Sequence, residues 1–278
     1  MSRSWFITGV SSGLGRSLAE AALEAGDRVA GSVRSEDAVA PFEALQPERT
    51  LALIADVTDA AALTCAIRTA DAALGGLDVL VNNAGYGLIG AVEEVSLAEA
   101  RAQFETNVFG AMAAIQAVLP LMRARQSGHI VNITSVSGLA AWAGTGVYCA
   151  SKFALEGLGQ ALAQELAPLG IKVTNVAPGG LRTAYAGRSL RRAAQVIEDY
   201  DGPGHFAGET LSEHAGQERG DPRRAAAAIL KLVESAAAPM HLLLGADAVH
   251  YATRAMGTFQ IEMGEWADLT MSTAFPED

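Results

Sequence analysis

Trp5-Phe6-Ile7-Thr8-Gly9-Val10-Ser11-Ser12-Gly13-Leu14-Gly15 is the stretch that decides the fold: an apolar run, a turn with three glycines, then an alanine- and leucine-rich segment from Leu14 to Ala25 that stops at Gly26. The run reads as a strand and the segment as a helix ended by a C′ glycine. Glycines belong in such a turn because the backbone must bend tightly and approach a pyrophosphate with no Cβ in the way. The phosphates then meet unpaired N–H groups at the helix start, where the dipole favours negative charge. The spacing departs from G-x-G-x-x-G, since Leu18 stands at the third glycine position counted from Gly13. An ordinary strand-to-helix loop would need none of these glycines, so Gly9, Ser11, Ser12, Gly13, Leu14 and Gly15 are read as a dinucleotide-binding turn.

Outward from this turn, short apolar runs alternate with helical patterns. The runs are Val29–Val33, Leu51–Ile54, Leu77–Val81, His129–Ile133, Ile171–Val176 and Met240–Leu244; helical spacing covers Asp59–Leu74, Leu97–Met122 and Val147–Leu166. Alternation of this kind predicts a Rossmann-type doubly wound parallel α/β sheet of about seven strands with helices on both faces. Strands apolar on both sides fit helices covering each face. Residues 1–278 form one domain in this reading. Within it, residues 183–221, rich in Gly, Arg, Glu and Ser, are expected to be a substrate lid. Pro222–Glu234 is expected as a helix capped by Asp221, and residues 246–278 form a C-terminal extension, helical at first.

The chain has 278 residues, half of them hydrophobic, and a net charge of -11. That charge argues against binding the phosphate backbone of nucleic acid. The late apolar stretch Ala225–Ala246 is interrupted by Lys231, Glu234 and Pro239, and the first residues lack a signal-peptide pattern, so no membrane partner and a cytoplasmic location are expected. Two cysteines, Cys65 and Cys149, make no disulfide framework. The histidines at 129, 205, 214, 241 and 250 show no metal-ligand spacing, so no metal is expected.

The end of the second strand bears on the choice between NAD and NADP. A NAD site has Asp or Glu there for the ribose 2′-OH; here Val33 stands in that place and Arg34 follows. A guanidinium suits a 2′-phosphate, which favours NADP over NAD. Alternatively, Arg34 pairs with Glu36 or Asp37 in a helical turn capped by Ser35.

Tyr148 and Lys152 are i and i+4 on one helix face. Bringing a phenol from pKa near 10 to about 7 takes roughly 4 kcal/mol, and a cation about 4 Å away supplies roughly that at an effective dielectric of 20. Thirteen residues before Tyr148, Ser135 follows a strand at the carboxyl edge of the sheet, where open α/β folds bind ligands. Its hydroxyl could hold a carbonyl oxygen beside the phenol.

Thr8-Gly9-x-x-x-Gly13-x-Gly15, Asn82-Asn83-Ala84-Gly85, Asn107, Ser135, Tyr148, Lys152 and Pro178-Gly179 stand in an order that resembles the short-chain dehydrogenase/reductases in their shorter form, over about Trp5–Thr183. The resemblance implies Tyr148 as proton donor or acceptor, Ser135 as the group orienting the carbonyl, Lys152 on the nicotinamide ribose, and Asn107 supporting a water-linked proton relay. It also implies Asp56 and Val57 against the adenine, Asn83, Ala84 and Gly85 along the cofactor ribose, Thr183 near the carboxamide, and Pro178 and Gly179 among the cofactor-binding residues. The activity implied is reversible reduction of a ketone to a secondary alcohol: the carbonyl carbon takes a hydride from NADPH while Tyr148 protonates the oxygen. The chain lacks the Asp-Gly-Gly ending typical of tetrameric members, so a homodimer through Leu97–Met122 and Val147–Leu166 is expected.

Other residues leave more than one reading open. Arg182, Arg188, Arg191 and Arg192 meet an anionic substrate, meet the cofactor, or line a solvated helix face. Trp142, Val147, Tyr185, Tyr200 and Phe206 shape a mouth for a bulky ketone or pack the lid onto the core. Cys149 is read as a buried thiol; Asn82 and Asn107 could each be structural, pairing backbone between strands, and for Asn82 that reading is favoured. Competing functions are a 3-oxoacyl-carrier reductase, for which the basic docking surface is thin, and a non-catalytic nucleotide-binding sensor, which would not need to keep the whole Ser-Tyr-Lys set.

Overall fold

A computed structural model describes residues 2–183, 189–213 and 215–275. The expectations placed on Tyr185, Arg188 and His214 therefore lie outside the described residues. Nine strands are described: β1 (Ser4–Thr8), β2 (Arg28–Val33), β3 (Thr50–Ile54), β4 (Val79–Asn82), β5 (Gly87–Ile89), β6 (Gly128–Ile133), β7 (Ile171–Pro178), β8 (Leu190–Arg192) and β9 (His241–Leu244). Seven of them form one parallel sheet in the order β3-β2-β1-β4-β6-β7-β9. The chain order reverses direction between β1 and β4, and a crevice opens at the carboxyl ends of such a pair.

The helices are α1 (Gly13–Glu24), α2 (Val39–Glu43), α3 (Ala60–Leu74), α4 (Leu97–Phe104), α5 (Gly110–Arg125), α6 (Gly146–Leu166), α7 (Pro203–Glu213), α8 (Pro222–Glu234), α9 (Ala246–Glu265) and α10 (Ala267–Met271). Pleating sends alternate residues to opposite faces. Trp5 and Ile7 of β1 pack with Val29, Val81 and Val131 against α1 and α8. Phe6, Ala30, Leu80 and Ile130 pack against α3, α5 and the end of α6. Asp221 caps α8 as expected, accepting from the Arg223 N–H at 2.8 Å, and Asp59 caps α3.

The structure departs from the sequence reading in four places. The expected helix Leu97–Met122 is broken at its middle by a π turn, Glu105–Phe109. Ser35 makes no capping hydrogen bond; a 3-10 turn, Glu36–Ala38, follows it, and α2 is only five residues long. The stretch expected as a lid contains β8, which pairs with β5 in a separate parallel ribbon, and α7. Arg191 and Arg192 are thus on a strand, not a helix face. Finally, Asn82 bonds a side chain, not backbone: its Nδ2 donates to Asn132 Oδ1 (2.9 Å), and Asn132 Nδ2 donates to Asn175 Oδ1 (3.0 Å).

Residues 97–125 are long and apolar enough to cross a membrane by length and composition alone. In the fold, Ala114, Ile115, Val118 and Met122 of this segment are buried against the sheet and α3, as in a core helix.

Candidate active site

The crevice is a cleft of about 1410 Å³ running along the carboxyl ends of the strands. Gly9, with φ +76, turns the chain out of β1, and its N–H donates to Ser32 Oγ (3.1 Å) on β2. Gly15 is required for close approach: a Cβ there would overlap Asn83 Nδ2 and the Gly9 carbonyl. Gly9, Ser11, Ser12, Gly13 and Leu14 line the cleft, whereas Gly15 lies beneath the loop. The Ser12 side chain makes no capping bond at the start of α1, which leaves helix N–H groups for a phosphate. The residues present therefore fit a dinucleotide.

Asn83, Ala84 and Gly85 line the cleft opposite this loop. The Asn83 amide holds the loop, donating to the carbonyls of Thr8 (2.8 Å) and Gly9 (3.1 Å). Thr8 Oγ1 in return accepts from the N–H groups of Asn83 and Ala84, both at 2.9 Å. Arg34 is exposed at the end of β2 and lines the cleft with Asp56 and Val57. Among the described residues no ion pair joins it to Glu36 or Asp37. Burial pushes the Asp56 carboxyl up, but hydrogen bonds from Thr58 and the nearby Arg34 charge outweigh it and hold the group below its ordinary value.

At the other end, Ser135, Tyr148 and Lys152 line the same cleft, as do Pro178, Gly179 and Thr183. Ser135 Oγ accepts from the Ser137 N–H (3.0 Å), so the hydroxyl keeps its own proton to donate. Lys152 is buried on α6. Its Nζ donates to the Ile133 carbonyl (2.9 Å) and lies 6.0 Å from the centre of the Tyr148 ring. That bond ties α6 to the end of β6, two residues before Ser135. Burial lowers the lysine to about 8, which still leaves it mainly protonated at neutral pH.

Asn107 stands behind the cleft wall. It is buried in the π turn and does not line the cleft. Its Nδ2 donates to the Tyr86 carbonyl and to Ser151 Oγ, both at 3.1 Å, and its Oδ1 accepts from the Tyr86 N–H (3.1 Å). Both amide hydrogens are used within the protein. Its action is to fix the Gly85–Tyr86 backbone.

Several site residues were not singled out from sequence. Asp247, in the first turn of α9, accepts from the Gly180 N–H (2.7 Å) and braces the Pro178–Gly180 loop. Tyr251 of the same helix meets Trp142 edge-to-face at 5.3 Å, and both line the cleft. Of the other expected mouth residues, Phe206 lines the cleft, while Val147 and Tyr200 do not. Tyr200 Oη instead donates to Glu93 (2.6 Å). Beside it, Glu94 accepts from the Ile197 N–H and pairs with His205, both at 2.7 Å. Those bonds hold Glu94 low, the one from Ile197 foremost, and the Glu94 and Asp201 carboxylates raise His205. Charged residues scattered over Glu93–Glu99 and Ala194–His205 gave no local signal of this pairing. Cys149 is buried, as expected, 3.3 Å from Thr145 Oγ1.

A glycine-rich turn at the switch point of a parallel sheet, sharing a cleft with a Ser-Tyr-Lys set, defines a nicotinamide-dependent oxidoreductase. The short chain dehydrogenase family matches residues 4–193; this chain belongs to that family and is an NAD(P)-dependent short-chain dehydrogenase/reductase. It is 37% identical to oxidoreductase BOA17 of Botryotinia fuckeliana (strain B05.10), over 99% of this chain and 100% of that protein. It is 36% identical to a 3-ketodihydrosphingosine reductase of Bacteroides thetaiotaomicron, over 86% of each. Among solved structures, a short-chain dehydrogenase from Streptomyces avermitilis superposes with TM-score 0.92 at 39% identity, covering 98% of both chains. A Burkholderia cenocepacia J2315 short chain dehydrogenase in complex with NADP superposes with TM-score 0.73 at 25% identity, over 95% of this chain and 97% of that one.

Proposed function

We propose that this protein is an NADP-dependent oxidoreductase that interconverts a ketone and a secondary alcohol, with Tyr148 as the acid/base. The observation that carries the reading is the single cleft shared by Ser135, Tyr148, Lys152 and the Gly9–Leu14 turn. The bound cofactor supplies or accepts the hydride. Ser135 Oγ–H donates to the carbonyl oxygen and Tyr148 gives it a proton as charge develops there. The Lys152 ammonium then stabilises the phenolate left behind. Arg34 holds the 2′-phosphate at the far end, with Asp56 and Val57 beside the adenine. Residues 183–221 act as the lid, and both apolar residues (Leu190, Phe206 and Leu211) and polar ones (Arg191, Thr210 and Glu218) of that segment line the cleft. The relative named 3-ketodihydrosphingosine reductase is named for a ketone, which supports a carbonyl substrate here.

The test is a spectrophotometric screen of ketones and alcohols with NADPH and NADH side by side. NADPH is expected to be preferred, and Arg34→Ala should lower kcat/KM for NADPH by about 10- to 100-fold, the range for losing a charge-assisted bond, with NADH little affected. NADH matched or preferred by the native protein would overturn the role given to Arg34.

We also propose a cytoplasmic homodimer. Leu97, Phe109 and Phe153 stand exposed on α4, the π turn and α6, and Leu97, Arg101, Phe104 and Phe109 edge a shallow apolar hollow. Exposed apolar side chains in such a patch mark a contact surface. Light scattering on the full chain should give twice the chain mass, and Phe109→Glu with Phe153→Glu should give one; a native monomer would refute the dimer.

A further inference from the structure

β5 and β8 form a ribbon of three residues each, with Leu88 opposite Arg191, and both residues line the cleft. The Arg191 guanidinium lies over the Tyr86 ring, 4.4 Å from its centre. Tyr86 is a fixed platform. Its carbonyl accepts from Gln103 Nε2 (2.8 Å) and Asn107 Nδ2, and its N–H donates to Asn107 Oδ1. A guanidinium stacked on an aromatic face keeps its in-plane N–H fork for a planar oxyanion.

That fork makes no ion pair among the described residues. Among the described residues no carboxylate lies within 4.0 Å of the Arg191 side-chain nitrogens, in a chain of net charge -11. The nearby Glu99 is engaged elsewhere: its oxygens accept from the Ser96 N–H and Oγ and from the Ala194 N–H. Four acidic residues line the cleft: Asp247 is bound to the Gly180 N–H, Asp56 to Thr58 and Glu218 to the Gly216 N–H, and among the described residues neither these nor Glu105 pairs with Arg191. Leu88, opposite Arg191 on the ribbon, and Leu190 beside it are apolar and line the same cleft.

We infer that Arg191 binds an oxyanion carried by the substrate, so that the substrate is a ketone or alcohol with an apolar body and a carboxylate, sulfonate or phosphate group. This rests on the ketone/alcohol reading above and adds to it the chemical class of substrate. Arg191 acts in binding and specificity; the reacting atoms stay with Tyr148 and Ser135. Phosphates of the cofactor share the same chemistry, and the experiment separates the two sources.

The probes are straight-chain keto acids in which the ketone is moved stepwise away from the carboxylate, each paired with its methyl ester and assayed with NADPH. For the best-placed ketone, the native protein should prefer acid over ester by about tenfold or more in kcat/KM, the size of one charge-assisted hydrogen bond. Arg191→Met should bring that ratio close to one, chiefly through KM, and Arg191→Lys should restore part of it. The NADP+ dissociation constant, read by fluorescence titration of the same variants, should not follow the ratio. A native ratio near one across the series would overturn the inference, as would a ratio kept in Arg191→Met. A loss of NADP+ affinity matching the loss of ratio would overturn it too, by assigning the guanidinium to the cofactor. All three outcomes leave the ketone/alcohol reading intact. Failure to reduce any keto acid, ester or neutral ketone with either nucleotide would instead refute that reading, and the inference with it.

Discussion

Tyr148→Phe should lower kcat by roughly 10²- to 10⁴-fold, the usual contribution of a positioned general acid or base, while the NADP+ dissociation constant stays nearly unchanged. The substitution removes only the hydroxyl. The ring remains on α6, and Lys152 keeps its bond to the Ile133 carbonyl, so the cofactor's binding groups are preserved. Ser135 retains its proton for the carbonyl oxygen, but no group is left to complete proton transfer. Lys152→Met should behave differently. It removes the cation that stabilises the phenolate and breaks the tie between α6 and the end of β6, so turnover and cofactor affinity should fall together. Steady-state rates with the best ketone, alongside nucleotide titration of the same preparations, check both. A Phe variant with native turnover would remove Tyr148 from the chemistry.

What could be read from the sequence was local. The turn from Ile7 to Gly15 announces itself because a strand, a glycine turn and a helix each have a short period or a special backbone need. Tyr148 and Lys152 share a face by helical spacing, and Ser135 follows from where its strand ends. What stayed hidden depends on contacts between distant segments. β5 and β8 are three residues each and lie about a hundred positions apart, so neither shows alternation, and Arg191 gave no sign of resting on Tyr86. Asp247 and Tyr251 enter the site only because β9 carries α9 back over the cleft. Asn107 matches its motif position, yet the π turn that buries its side chain against Tyr86 leaves no mark in hydrophobic spacing.

Asn82, Asn132 and Asn175 pose a different question, because three amides buried across β4, β6 and β7 must each find partners. Their direction is set from one end. Asn175 Nδ2 faces the Glu156 carbonyl and Oε1, both at 2.8 Å, and these groups only accept. Asn175 must therefore present its oxygen to Asn132, and Asn132 its oxygen to Asn82. The far end is left with an Asn82 Oδ1 that has no partner among the described residues. Asn132→Ala cuts the chain in its middle and strands the Asn82 amide and the Asn175 oxygen, each worth about 1–3 kcal/mol. The expected loss is roughly 2–6 kcal/mol, a large part of a total stability of about 5–15. Asn82→Ala strands only the Asn132 oxygen and deletes an atom already unpaired, so it should cost distinctly less. Denaturant midpoints of the two variants measure the difference. Equal losses would mean that strand packing, not the ladder of amides, accounts for the stability at these positions.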